Sequence, residues 1–151
     1  MLTQDPERRR TLALLAGAPL VATVMSAARP SNPTRRIDHT YLKATSGLRR
    51  DLISYIERNW FSMDRAALEL GLFTSYAWYE NVDTNAEWDV LVVVGYASAQ
   101  GFDDPAVQAA FAKIKAEHKE VPVAGKTLRD LGTIVRSDRL RPSPAAARSS
   151  S

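Results

Sequence analysis

The chain contains no cysteine. That absence removes disulfide scaffolds, thiolate metal centres and cysteine nucleophiles at once. A surplus of one charge is missing as well: 20 Lys and Arg stand against 17 Asp and Glu, for a net +3. The basic residues form no stripe with interleaved aromatics. Arg49 and Arg50 abut Asp51, Lys113 and Lys115 lie beside Glu117, and Arg136 and Arg139 flank Asp138. Nucleic acid is therefore a poor partner for this chain. No apolar run reaches the ~20 residues that a membrane-spanning helix needs. The best of them, Thr11 to Met25, is broken by Gly17 and Pro19. A Gly-rich phosphate loop and a nucleophile elbow are also lacking, since Ser46-Gly47 and Ala124-Gly125-Lys126 are ordinary turn sequences.

What is present starts with an address. Glu7-Arg8-Arg9-Arg10 leads into the apolar stretch Thr11–Met25, followed by Ser26-Ala27-Ala28. This is the order of a bacterial secretory signal: charged lead, apolar centre, small-residue cleavage site. Residues 1–28 are thus expected to be removed after Ala28, giving an exported, periplasmic or extracytoplasmic protein with no permanent membrane span. Arg9-Arg10-Thr11-Leu12 resembles the twin-arginine pattern, although Arg8 replaces the usual Ser or Thr and no Lys follows. A general secretory signal with three arginines is the alternative. Cleavage takes away Asp5, Glu7, Arg8, Arg9 and Arg10, leaving 17 basic and 15 acidic residues and a net +2.

Residues 29–35 hold two prolines and read as a linker, and 141–151, built of Pro, Ala, Ser and Arg, read as a disordered tail. Residues 36–140 between them are the expected folded domain. Residues 36–44 suit a strand, with β-branched and aromatic residues and no Gly or Pro. Residues 47–70 suit a helix: Leu48, Leu52, Ile56, Trp60, Met63, Ala67 and Leu70 recur at three- and four-residue steps before Gly71. A second strand is expected over Thr74–Val82 and a third over Trp88–Ala97, separated by a polar turn. The run Val90-Leu91-Val92-Val93-Val94 is apolar on both faces, which marks a central strand covered from two sides. Asp104-Pro105 opens a second helix, as N-cap and first helical residue. Val121–Lys126 is a loop, and Leu131–Leu140 the last strand, with Gly132 blurring its start.

Strand, helix, strand, strand, helix, strand implies an α+β, ferredoxin-like βαββαβ domain: a four-stranded antiparallel sheet with two helices on one face. The bare face then needs a cover, most simply a second copy related by a two-fold axis. The segments Ile37-Asp38-His39-Thr40-Tyr41-Leu42-Lys43, Gly47, Ser75-Tyr76-Ala77-Trp78-Tyr79-Glu80 and Glu87-Trp88-Asp89-Val90-Leu91-Val92-Val93 resemble the dimeric α/β-barrel (stress-responsive barrel) superfamily, most of all its exported members of no assigned activity. The resemblance implies a homodimer. It spans cofactor-independent monooxygenases, haem-degrading oxygenases and cyclases, so chemistry does not transfer with the fold. No Asn–Trp–His set of the haem-degrading kind can be placed by motif.

Taking strands one and three as parallel puts His39, Trp88, Asp89, Glu80 and His118 at one end of the molecule. His39, His118 and Asp89 are then the candidate catalytic residues, as proton shuttles and orienting acid. The bland alternative is two separate boundary histidines bonded to backbone. The aromatics Tyr41, Tyr76, Trp78, Tyr79 and Tyr96 could line a cavity or simply fill core and interface, and Trp88 could serve as a stacking wall. The candidate ligand-binding set is Tyr41, Trp78, Trp88 and Tyr96. The histidines lack the i, i+4 spacing of a metal pair, so no metal site and no cofactor is expected, while haem, needing one His, stays open. The leading expectation is a protein that holds a small aromatic or hydrophobic molecule between helices and sheet. The alternative is a cofactor-independent monooxygenase or isomerase with His39 or His118 as base.

Overall fold

A computed structural model describes residues 32–143. The expected signal, its junction at Ala28, and the tail from residue 144 lie outside the described residues.

The first strand, β1, runs Arg36–Ala44. After a turn through Gly47, a single continuous helix follows in three parts: α1 (Arg49–Tyr55), a π-turn (Ile56–Trp60) and α2 (Phe61–Glu69). Gly71 sits at φ +74°, the left-handed conformation that ends helices and that a Cβ disfavours. Strand β2 (Phe73–Glu80) then pairs with β3 (Val90–Tyr96) across the polar turn 81–89. Asp104 caps helix α3 (Pro105–Glu117), its side chain accepting from the Ala106 N–H at 2.9 Å. A short helix α4 (Leu128–Leu131), absent from the sequence expectation, precedes β4 (Gly132–Leu140). Thr127 and Asp130 form a capping box around α4, which lets one turn of helix hold in so short a segment. Gly132 belongs to the strand because a Cβ there would lie 2.6 Å from the Lys43 carbonyl oxygen.

The sheet order is β2-β3-β1-β4 with every neighbouring pair antiparallel. Together with two helical layers on one side, this is the ferredoxin-like α+β arrangement. The register sets the faces. Leu42, Val90 and Val92 are buried against Leu52, Tyr55, Ile56 and Leu131, so the even-numbered positions of β1 and β3 face the helices. A second cluster, Ala67, Phe73, Tyr96 and Val107, seats α3 beside α2. Leu70, grouped with the apolar helix face by its spacing, is instead 64 % exposed, because the helix has already ended at Glu69. The odd-numbered positions form the opposite face: Ile37, His39 and Tyr41 on β1, Leu91 and Val93 on β3, Ala77 and Tyr79 on β2. All the helices described lie on the other side of the sheet.

The expectation that β1 and β3 run parallel is corrected by this register. They are adjacent and antiparallel, pairing His39 with Val93 and Leu42 with Val90. The start of β3 therefore lies at the end of β1, not at its beginning. There Asp89, only 4 % exposed, accepts from the Ala44 N–H at 2.9 Å and Lys43 Nζ at 3.2 Å, and pairs with Arg49 Nη2. Burial alone would raise its pKa, but the Ala44 N–H, Arg49 and Lys43 outweigh it and hold the carboxyl below its ordinary value. One carboxylate thus joins the end of β1, the start of α1 and the start of β3.

Replacing it leaves the Ala44 N–H unmatched and deprives Arg49 and Lys43 of one partner each, while Arg49 keeps Glu80 and the Asn81 carbonyl and Lys43 the Ala86 carbonyl. Asp89→Ala is expected to lower unfolding free energy by about 1–3 kcal/mol, the cost of leaving a buried amide without its acceptor. Urea denaturation checks this; a loss below about 1 kcal/mol would show that solvent compensates the site.

Candidate functional site

The helical layer does not cover the sheet evenly. Helix α3 packs beside α2, with Phe111 stacked on Phe73 at 5.6 Å and an interplanar angle of 22°. The inward side of β1 and β4 is left short of cover, and a cavity of about 460 Å³ opens there between sheet and helices. Thr40, Val92, Val94 and Tyr96 form its sheet wall. Trp60 and Met63 roof it from the π-turn and α2. Phe102 and Ile134 line it too, and their exposure of 39 % and 53 % marks the side where it meets solvent.

Asp64 of α2 breaks the apolar lining. It is 6 % exposed, and no described residue offers its carboxyl a hydrogen bond or an ion pair. Burial pushes its pKa from an ordinary 3.8 up to about 7. Burial also raises the Tyr96 hydroxyl, helped by the charges of Asp38 and Asp64, so that this wall stays neutral. The π-turn explains how an aspartate reaches the interior. A π-turn takes one residue more than an α-turn, so the inward stripe shifts by about 100° at residues 56–60. Asn59 and Asp64, five residues apart, turn inward together, and both are buried. Asn59 keeps step with Ile56 and Met63, and Asp64 with Trp60 and Ala67, but a stripe read from apolar residues alone leaves both out, so neither was expected from sequence.

A second cavity of about 400 Å³ adjoins the first and shares Trp60, Met63 and Phe111 with it. Its other lining is polar: Tyr55, Asn59, Lys115, His118 and Glu120. The Asn59 amide nitrogen donates to the carbonyls of Tyr55 (3.1 Å) and Val121 (2.9 Å). Its Oδ1 accepts from the Val121 N–H at 2.7 Å and meets His118 Nε2 at 3.0 Å. Two carbonyls facing the amide nitrogen settle its orientation, so Nε2 of His118 must carry the proton and donate. The lone pair of a neutral ring then belongs to Nδ1. Tyr55 Oη donates to Glu120, and burial together with that carboxylate raises its pKa to about 12.

The residues singled out in the sequence divide among four places. Trp88, Asp89 and Glu80 do share one end, where Arg49 bonds both carboxylates; Asp89 is a structural tie there, enclosed by its partners. His39 stands on the opposite, outward sheet face with its Nδ1 3.3 Å from Tyr41 Oη. Tyr41 packs against Trp88 at 5.4 Å on that same face, with the Arg136 guanidinium 4.0 Å above its ring. His118 lies under the helices. The sheet therefore separates His39 from His118, and the candidate catalytic set of His39, His118 and Asp89 is not assembled. The candidate ligand set splits likewise: Tyr96 lines the larger cavity, Trp78 packs against the helical side and bonds Glu57 at 3.1 Å, and Tyr41 and Trp88 face away. Among the described residues no group of three or more His, Asp or Glu side chains is placed to hold a metal ion. No described helix is long and apolar enough to cross a membrane.

No protein-family model matches the chain, and no curated protein matches it. Among solved structures it is similar to a dimeric protein of unknown function and ferredoxin-like fold from Bacteroides fragilis. The identity is 9 %, the TM-score 0.39, and the match covers 70 % of this chain and 95 % of that one. The fold assignment above rests on this chain's own strand order.

Asp64 carries a sign-definite prediction. The unfolded carboxyl ionises near pH 4, whereas the folded one keeps its proton to about pH 7. Between those values the native state binds more protons, so stability falls as pH rises through the window and stays lower above it. The gap corresponds to roughly 4 kcal/mol at most. Asp64→Asn is therefore expected to be more stable than the parent at pH 8, by roughly 2–4 kcal/mol, and no more stable at pH 4. Urea midpoints at the two pH values measure it; equal differences at both would refute the assignment.

Proposed function

We propose that this is an exported, homodimeric α/β-barrel protein that binds a small aromatic or hydrophobic molecule between its helices and its sheet. The observation that carries the reading is the cavity of about 460 Å³, walled by Trp60, Phe73, Val92, Val94 and Phe111. A cleft of that size, open to solvent on the side of Phe102 and Ile134, lies in the range of small-molecule sites. Export is supported by the charged lead, apolar centre and small-residue site of residues 1–28.

The homodimer is supported by the sheet's outward face. Ile37, Leu91, Val93, Ala77 and Tyr79 make an apolar field that a lone subunit leaves to water. Its charges are matched within the face itself, Arg136 lying 3.3 Å from Asp138. A two-fold axis lays such a face on its own copy without opposing like charges.

A second reading, a cofactor-independent monooxygenase or isomerase, is favoured by one observation. The Asn59 contact leaves His118 Nδ1 as the basic nitrogen beside a cavity that adjoins the apolar one. His39, on the far side of the sheet, has no part in that reading.

A neutral fluorescent probe, 1-naphthylmethanol, tests the binding reading by titration of the whole protein. Val94→Phe places a ring in the cavity and is expected to weaken binding roughly tenfold or more, with the circular dichroism spectrum unchanged. Ala77→Phe, on the opposite face, leaves it alone. Absence of probe binding by the parent protein would sink the reading. For the assembly, native mass spectrometry of protein from the envelope fraction is expected to show twice the mass of a chain beginning near Arg29. Leu91→Arg should shift it to the monomer, because about two buried guanidinium groups would then face each other across the axis. A monomeric parent would refute the dimer.

A further inference from the structure

The reading above leaves open which small molecules the cavity takes, and one feature of its wall narrows the class. We infer that the cavity selects small aromatic or alkyl amines, the ligand's ammonium group pairing with the carboxylate of Asp64. The inference rests on the binding reading and specifies its ligand.

Asp64 is 6 % exposed, lines the cavity, and has no hydrogen-bond or ion-pair partner among the described residues, so the little surface its carboxyl keeps is where a ligand can reach it. A buried carboxyl without a partner costs stability unless something supplies the missing charge. The protein's own cations are not placed to do so. Arg58 and Arg65, the basic residues nearest in sequence, are exposed on the outer side of the helix. Arg36 and Arg139, whose charges reach the neighbouring Tyr96, are already paired with Asp38 at 3.1 Å and Asp103 at 2.7 Å. From the sheet, Thr40 and Tyr96 face the cavity as neutral hydroxyls; from α3, Phe111 faces it, and Lys115 lines only the adjoining cavity. The wall therefore holds one acid and no base.

Ligand chemistry follows from that imbalance. An anionic ligand would meet the carboxylate with like charge. A neutral one would fill the apolar space and leave Asp64 uncompensated. An ammonium group supplies the counter-charge, and its apolar remainder occupies the space beside Trp60, Phe73 and Phe102, whose ring faces also attract cations. The pKa of Asp64, near 7, makes the pairing proton-linked: at neutral pH part of the population must release a proton to bind. Affinity for an amine should accordingly rise from pH 5 to pH 8, and a neutral isostere should show no such rise.

Three isosteric probes separate the possibilities: 1-naphthylmethylamine, 1-naphthylmethanol and 1-naphthoate, titrated by calorimetry against the full chain at pH 5 and pH 8. The expected result is that the amine binds about tenfold or more tighter than the alcohol at pH 8. It should release protons on binding, seen as a dependence of the heat on buffer ionisation. In Asp64→Asn the amine should lose its advantage while the alcohol keeps its affinity, which also certifies that the variant retains its cavity. Equal affinity of amine and alcohol at pH 8, or preference for the naphthoate, would overturn the inference and leave the cavity as a site for neutral or acidic molecules. Failure of all three probes would overturn the binding reading itself, and the inference with it.

Discussion

A strand that is apolar on both sides must be covered twice, and most of this structure answers that demand. Val90 and Val92 are buried under the helical layer, while Leu91 and Val93 on the other side reach only the bare sheet face. The first cover comes from the chain itself: α1 and α4 lie over Leu42 and Val90, and α2 and α3 over Phe73 and Tyr96. No described element supplies the second. Without disulfides to hold a marginal fold, buried apolar area is what such a domain depends on.

Two buried aspartates on the helical side show how the same residue type serves opposite ends. Asp89 is surrounded by an N–H, a lysine and an arginine, and it is held ionised. Both carboxylate oxygens are engaged, so it fastens three chain segments together. Asp64 has no such partners and its proton stays on to about pH 7. Both residues are little exposed; compensation is what sets them apart. A compensated charge builds the frame, and an uncompensated one beside a cavity is available for chemistry.

Local chemistry made much of the architecture readable in the linear chain. The strand at 36–44, the Asp104-Pro105 helix start, the Gly71 stop and the doubly apolar third strand each depend on neighbours within a few residues. Where the reading failed, the cause was longer in range. Pairing β1 with β3 as parallel neighbours gathered His39 and His118 at one end, and the true antiparallel register puts them on opposite sides of the sheet. Helix α4 is a single turn held by its own capping box and by contact with α1, too short to show a period. Asn59 and Asp64 were hidden by their polarity: both keep three- and four-residue steps to the inward stripe, which apolar residues alone define.

By itself, then, the amino-acid order determined the secondary elements, their sequence along the chain and hence the ferredoxin-like class, because propensity, capping and alternation act over a few residues. It also determined that the third strand would be central, since only two-sided burial suits Val90-Leu91-Val92-Val93-Val94. The tertiary structure alone decided which polar groups meet. The packing of α2 and α3 on the sheet left the cavity, α2 brought Asp64 into its wall, and the antiparallel register kept His39 away. Each of these turns on how segments far apart in the chain pack together, and a change of one residue in register or one turn in a helix reverses the face a side chain presents.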